Sequence, residues 1–221
     1  MYDFSQARTH MMDSQILTSG VISPAVVDAF QTVPREIFIP EQYQGVAYQD
    51  EDIEIAKGRY LMEPMVHAKI LEALKPKSTD IVLDIACGSG YSAAILSSIV
   101  TTVVALESHK DMIDHAQNMW NAHDMCNIVT IEGDITKGSP ENAPYNIIII
   151  NGAVSEVPTD ILDQLAPDGQ LVAIVKGENE VMGHVTLFKR NGELNEYSSH
   201  ALFSAGCPHL PELAPKPAFK F

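Results

Sequence analysis

From residue 81 onward the apolar positions come in short runs, separated by stretches with helical spacing. Residues 81–85, 102–107, 127–132, 145–150 and 171–175 read as strands, and 91–99, 109–123 and 158–165 as the helices between them. The run Tyr145–Ile150 is apolar without alternation, as expected of a strand covered on both faces. Residues 185–188 and 196–203 flank Arg190-Asn191-Gly192-Glu193, an Asn-Gly hairpin signal. The pattern predicts an α/β domain with a seven-stranded, mostly parallel sheet, helices on both faces and an antiparallel last strand pair. Strand 81–85 is expected at its centre.

Residues 1–80 read differently, as a helical extension packed on a core formed by 81–221. Phe4, Ala7, Met11, Met12 and Ile16 predict a helix over 4–18, with Asp3 as its cap and Gly20 beyond its end. Ser23-Pro24 predicts a cap and first helical position for a second helix through Phe30. Residues 35–48 and 57–64 read as loops, and Pro64 opens a helix to Leu74. Asp50, Glu51, Asp52 and Glu54 read as a solvated acidic edge. Ser108 and Asp111 resemble a capping box before helix 109–123. Asn151-Gly152-Ala153 and Pro167-Asp168-Gly169 read as turns, and the tail with Pro208, Pro211, Pro215 and Pro217 as extended.

Composition narrows the function classes. A hydrophobic share of 46% over 221 residues supports a sizeable core. No apolar run approaches the roughly 20 residues that span a bilayer, and no secretory leader is visible. Cys87, Cys126 and Cys207 lack metal-ligand spacing, so reduced thiols, no metal and a cytoplasmic setting are expected. A net charge of −15 argues against a nucleic-acid partner. Nothing in the pattern specifies an oligomeric state.

The chemistry gathers at strand ends. Ile81–Tyr91 reads as strand, glycine turn, helix, with Gly88 and Gly90 in the turn and Asp84 at the strand end. Glycines let a ligand approach the backbone, and the helix start behind them offers free N–H groups. Glu107 ends the next strand, where a parallel nucleotide-binding sheet places its ribose acceptor, and Asp134 follows the third. This suits a nucleotide-like ligand that carries an ammonium and hydroxyls. A plain turn without ligand is the bland alternative. Gly88-x-Gly90-x-x-Ala93 also fits a nicotinamide dinucleotide fingerprint, although Asp84 would set a like charge near a pyrophosphate.

The order of elements resembles the Rossmann-like class I S-adenosylmethionine-dependent methyltransferases. Met12–Ile16, Ile22–Val26, Val33-Pro34-Arg35-Glu36-Ile37-Phe38-Ile39-Pro40-Glu41, Ala47-Tyr48 with Asp50, Gly58, Pro64, Leu83–Tyr91 and Ala143-Pro144-Tyr145 are similar to the protein L-isoaspartyl (D-aspartyl) O-methyltransferases, over roughly residues 10–190. The resemblance implies S-adenosyl-L-methionine as donor, S-adenosyl-L-homocysteine as product, and an isoaspartyl carboxylate of a protein or peptide as acceptor. It implies that Asp84, Ala86, Gly88 and Gly90 face the methionine portion, Glu107 and Ser108 the ribose, and Gly133, Asp134 and Ile135 the adenine. Asn151 would border the methyl and its acceptor; Tyr60, Met62 and His67 are further positioning candidates. For Tyr60 a packing role, for Met62 an apolar wall and for His67 an ordinary helix-surface position compete with this. The chain departs from the family at Ala86, where glycine is usual, and at Met62, where a serine hydroxyl sits beside the acceptor. A Val-Phe-Val-Pro-Leu-like closing strand is also absent. Alanine at 86 is compatible with donor binding; the altered loop at Met62 predicts weak or absent isoaspartyl transfer, with another acceptor such as a small molecule, or donor binding without catalysis, as the alternatives.

Overall fold

Helix α1 (Phe4–Met11) opens the chain, with Asp3 Oδ1 accepting from Gln6 N at 3.0 Å. The computed structural model describes residues 3–192 and 196–215. The helix expected over 4–18 changes winding, widening over Met12–Ile16 and tightening over Leu17–Ser19 before Gly20 ends it at φ 88°. Thr9, Ser14 and Thr18 each donate a hydroxyl to the carbonyl four residues back, a bond that competes with the helical ladder. Helix α2 (Pro24–Thr32) starts at the expected proline, but Ser23 does not cap it. Glu72 Oε2 instead accepts from Ile22 N and Ser23 N at 3.1 and 2.9 Å.

The stretch expected as a loop over 57–64 contains a strand. β1 (Ile53–Ala56) pairs antiparallel with β2 (Arg59–Leu61) across a turn at Gly58, φ 74°. The acidic cluster beside it is only partly a solvated edge. Asp52 Oδ1 accepts from Glu63 N at 2.9 Å and Asp50 Oδ1 from Met65 N at 3.4 Å, at the start of α3 (Pro64–Leu74). Burial, with the charges of Asp50 and Asp52, raises the Glu63 carboxyl to about 7.

The core then alternates: β3 (Ile81–Ile85), α4 (Tyr91–Ser97), β4 (Thr102–Glu107), α5 (Lys110–Ala122), β5 (Ile128–Glu132), β6 (Tyr145–Val154), α6 (Thr159–Leu162), β7 (Leu165–Val175), β8 (Gly183–Arg190) and β9 (Tyr197–Ala205). The sheet order is β5-β4-β3-β6-β7-β8-β9, which puts β3 inside. The first five of these strands are parallel; β8 runs against β7, and β9 against β8. Asn191 N bonds to Glu196 O at 2.8 Å and closes the last pair; Glu193 of the expected turn lies outside the described residues. Asn151-Gly152-Ala153 does not turn away but forms an irregularity inside β6, and Pro167-Asp168-Gly169 sits inside β7 with Asp168 at φ 61°. His109, not Ser108, precedes α5 as cap residue, and Ser108 Oγ donates to Glu107 and Glu212 instead. The tail is not wholly extended: Pro211–Leu213 makes one 3₁₀ turn. Pro217 lies outside the described residues.

Strand alternation sorts the core into two faces. Val82, Val103, Ala105, Ile147, Ile149, Val172 and Ile174 join one apolar cluster with residues of α1 to α5. Leu83, Ile85, Val104, Leu106, Ile148, Ile150 and Leu171 face a second cluster, completed by Ile135, Ile161, Leu162, Leu210 and Leu213. Both faces are covered, as the unbroken run in β6 requires. The expected helices on both faces are replaced on the second by the one-turn α6 and by the segment after β9.

Candidate functional site

The carboxyl ends of β3, β4 and β6 converge on three polar side chains. Asp84, on β3, is fully buried. Its Oδ1 accepts from Ser92 Oγ at 2.8 Å and Asn151 Nδ2 at 2.7 Å, while Oδ2 has no partner. Asn151 also donates to Ile85 O at 3.0 Å, so β6 clamps the end of β3. Burial raises the Asp84 carboxyl to about 6, against its hydrogen bonds to Asn151 and Ser92 and with a contribution from Glu107. A buried carboxylate oxygen without a donor is costly unless something cationic or hydrogen-bonding comes to it.

The turn that follows carries three left-handed residues, Ala86 (φ 55°), Gly88 (φ 58°) and Gly90 (φ 95°). Gly88 N–H donates to Glu107 Oε2 at 3.1 Å. A Cβ there would meet Ile55 Cδ1 at 2.8 Å, so the β1–β2 hairpin closes over the turn. Gly90 has a packing reason instead. Trp120 of α5 lies against it, 2.6 Å from an added Cβ, and donates Nε1 to Gly90 O at 2.9 Å. Ala86 holds a conformation that costs an L-residue about 1–2 kcal/mol. Ala86→Gly is expected to raise stability by about 0.5–1 kcal/mol after the glycine's own entropy is subtracted; a denaturant midpoint that stays put or falls would refute the strain.

Glu107, fully buried at the end of β4, is the most heavily bonded group of the site. Ser108 N, His109 N and Gly88 N all donate to it. Arg59 of β2 adds Nε at 3.0 and 3.1 Å and Nη2 at 2.9 Å. The same guanidinium reaches Glu212 Oε1 at 2.7 Å and Ser108 Oγ at 2.9 Å. Although burial would raise it, the Glu212 carboxyl is held down at about 2 by Arg59.

The remaining candidates scatter. Tyr60 alternates with Arg59 and so points away from Glu107; it pairs with Glu54, and burial together with that charge raises its hydroxyl. Met62 is buried in the first apolar cluster. His67 is neither a helix-surface residue nor part of this polar group: it is buried edge-on to Phe30 and Tyr91, Nε2 unpaired, and burial lowers it to about 3. Asp134 is exposed and accepts from Thr136 N and Oγ1 at 3.0 and 2.6 Å, while Ile135 is buried beneath it. Gly133 N bonds to Glu107 O. Among the described residues, no group of three His, Cys, Asp or Glu side chains is placed to hold a metal ion, and no helix is long and apolar enough to cross a membrane.

The family model for protein-L-isoaspartate(D-aspartate) O-methyltransferase matches residues 6–203. The chain belongs to this family. A protein-L-isoaspartate O-methyltransferase of Methanoculleus marisnigri is 36% identical over 187 residues, covering 85% of this chain and 84% of that protein. One from Geotalea uraniireducens is 35% identical over 206 residues, covering 93% and 91%. Among solved structures, a protein-L-isoaspartate O-methyltransferase superposes with a TM-score of 0.80 at 23% identity, over 94% of this chain and 67% of that one. A Plasmodium falciparum protein solved in complex with S-adenosyl-L-homocysteine gives 0.76 at 19% identity over 96% and 100%. Both share the fold of this chain.

Two residues of this family member escaped the pattern. Arg59 was hidden in a supposed loop, although Ile53, Ile55 and Gly58 carried a hairpin signal. Arg35 is buried within the Val33–Glu41 segment. It donates Nε to Ala47 O at 2.7 Å and Nη2 to Met62 O at 2.8 Å, which ties the two loop segments together.

Proposed function

We propose that the chain transfers a methyl group from S-adenosyl-L-methionine to the carboxylate of an isoaspartyl residue in a peptide or protein. The unpaired, buried Asp84 Oδ2 at the head of the glycine turn carries the donor half of this reading. It fits an ammonium, which a nicotinamide dinucleotide does not present there. Family membership supports the acceptor half. When bound, the donor supplies an electrophilic methyl on a sulfonium. Asp84 holds the ammonium, Asn151 keeps that carboxylate aimed, and Glu107 is the acceptor for ribose hydroxyls. Ser108 adjoins that acceptor, and Gly133, Asp134 and Ile135 flank the adenine side. An acceptor carboxylate is a nucleophile at neutral pH, so the residues need only align it and exclude water.

Burial of Met62 favours a second reading, in which the acceptor is another carboxylate or a small molecule. The assay that decides uses one peptide with an isoaspartyl residue and its aspartyl twin. Methyl ester formed on the isoaspartyl peptide alone is expected; methylation of neither or both would overturn the proposal.

Donor binding is expected to depend on pH through Asp84. The ammonium ligand needs the ionised carboxylate, so affinity for S-adenosyl-L-homocysteine should rise about tenfold from pH 5 to a plateau above 7. The same raised value gives the opposite slope for stability. The protonated Asp84 contributes fully below the ordinary value of 3.8, and that contribution is lost as pH rises through about 6. Calorimetry at stepped pH checks this: Asp84→Asn should bind more weakly and without the slope.

A further inference from the structure

Glu107 has no acceptor capacity to spare. Its Oε1 takes Ser108 N at 2.8 Å, His109 N at 3.1 Å and Arg59 Nη2 at 2.9 Å; its Oε2 takes Gly88 N at 3.1 Å and Arg59 Nε at 3.0 Å. A carboxylate offers about four lone-pair sites, and the backbone donors are fixed by the chain. Ser108 Oγ adds a long contact to Oε1 at 3.3 Å and can rotate away, whereas Arg59 takes both oxygens; Arg59 is therefore the donor that must leave to admit ribose hydroxyls.

Arg59 is held from outside by the segment after β9. That strap bonds to β6 through Ala153 N to Pro208 O at 3.0 Å and Leu210 N to Ala153 O at 2.9 Å, and Ser155 N donates to Leu213 O at 2.9 Å. Leu210 sits against Gly152 and Pro211 against Gly58, where added Cβ atoms would come within 2.7 and 2.6 Å. The strap so positioned delivers Glu212 to both Arg59 Nη1 and Nη2, at 3.1 and 2.7 Å.

We infer that Arg59 and Glu212 form an intramolecular latch on the donor crevice: ribose reaches Glu107 only when the guanidinium leaves, and the strap holds the guanidinium in place. The inference rests on the donor reading above. The latched form lowers the apparent affinity by the fraction of molecules that are open. Loosening the strap tightens donor binding, and donor binding frees the strap.

The experiment titrates S-adenosyl-L-homocysteine into the wild type, Arg59→Gln, Glu212→Gln and Glu107→Gln by calorimetry. It also follows hydrogen exchange at the Ala153 and Leu210 amides. Glu212 is 29% exposed, so Glu212→Gln tests the latch even where loss of the buried Arg59 unfolds the protein. The dissociation constant is expected to fall about five- to tenfold in Arg59→Gln and Glu212→Gln, with faster exchange at both amides when ligand binds the wild type. Equal affinity in wild type and both latch variants, with weaker binding by Glu107→Gln, would overturn the latch and leave the donor reading standing. Binding by none of the four, or undiminished binding by Glu107→Gln, would overturn the donor reading and the latch with it.

Discussion

Glu107→Ala is expected to lower the unfolding free energy by about 3–5 kcal/mol, the range for removing one partner of a buried ion pair. The loss far exceeds one hydrogen bond because of what the alanine leaves behind. Arg59 is 1% exposed and keeps only Glu212, Ser108 and the Gly58 carbonyl. Gly88 N loses its acceptor at the centre of the turn, and Ser108 N and His109 N lose theirs at the start of α5. Replacing both partners by apolar residues of similar shape removes the stranded charge but not the three stranded N–H groups, so Arg59→Met with Glu107→Leu should recover only part of the loss. Urea unfolding of both single variants and the double variant measures this. A Glu107→Ala loss below about 1 kcal/mol would mean that the pair is not buried in solution.

Met62→Ser is expected to cost about 2–5 kcal/mol and to give no gain in isoaspartyl transfer. Position 62 is pinned from both sides: its carbonyl accepts from Arg35 Nη2, and the next amide is held by Asp52. The side chain is 6% exposed among apolar neighbours, so truncation leaves a void and buries a hydroxyl. The family's serine at this position made a rescued activity the natural expectation from sequence. The backbone here aims residue 62 into the core instead. A transfer rate per folded molecule that rises tenfold in Met62→Ser would show that the side chain reaches the acceptor after all.

What could be read from sequence follows the range of the interactions. Strand β3, the glycine turn and α4 are consecutive, and each is specified by residues inside it. The central place of β3 followed from right-handed crossovers and a ligand crevice at the carboxyl ends of the strands, and the antiparallel end of the sheet from one Asn-Gly pair. Arg59 to Glu107 and Arg59 to Glu212 are contacts across 48 and 153 residues, with no periodicity to announce them. The β1–β2 hairpin was missed for a different reason: the acidic residues around Ile53 and Ile55 made a solvated edge the simpler reading. Gly90 shows the converse. Its glycine was legible, but the partner that demands it, Trp120, is thirty residues on, and a ligand was the nearer explanation.

That indole has a practical consequence. Trp120 is the chain's one tryptophan, it is 2% exposed, and its N–H is bonded to the carbonyl of the residue that ends the glycine turn. Emission excited in the indole band, beyond tyrosine absorption, therefore comes from a single side chain seated on the backbone of the glycine turn. It reports, without a label, whether that turn keeps its shape while the remainder of the molecule is titrated, heated or mutated.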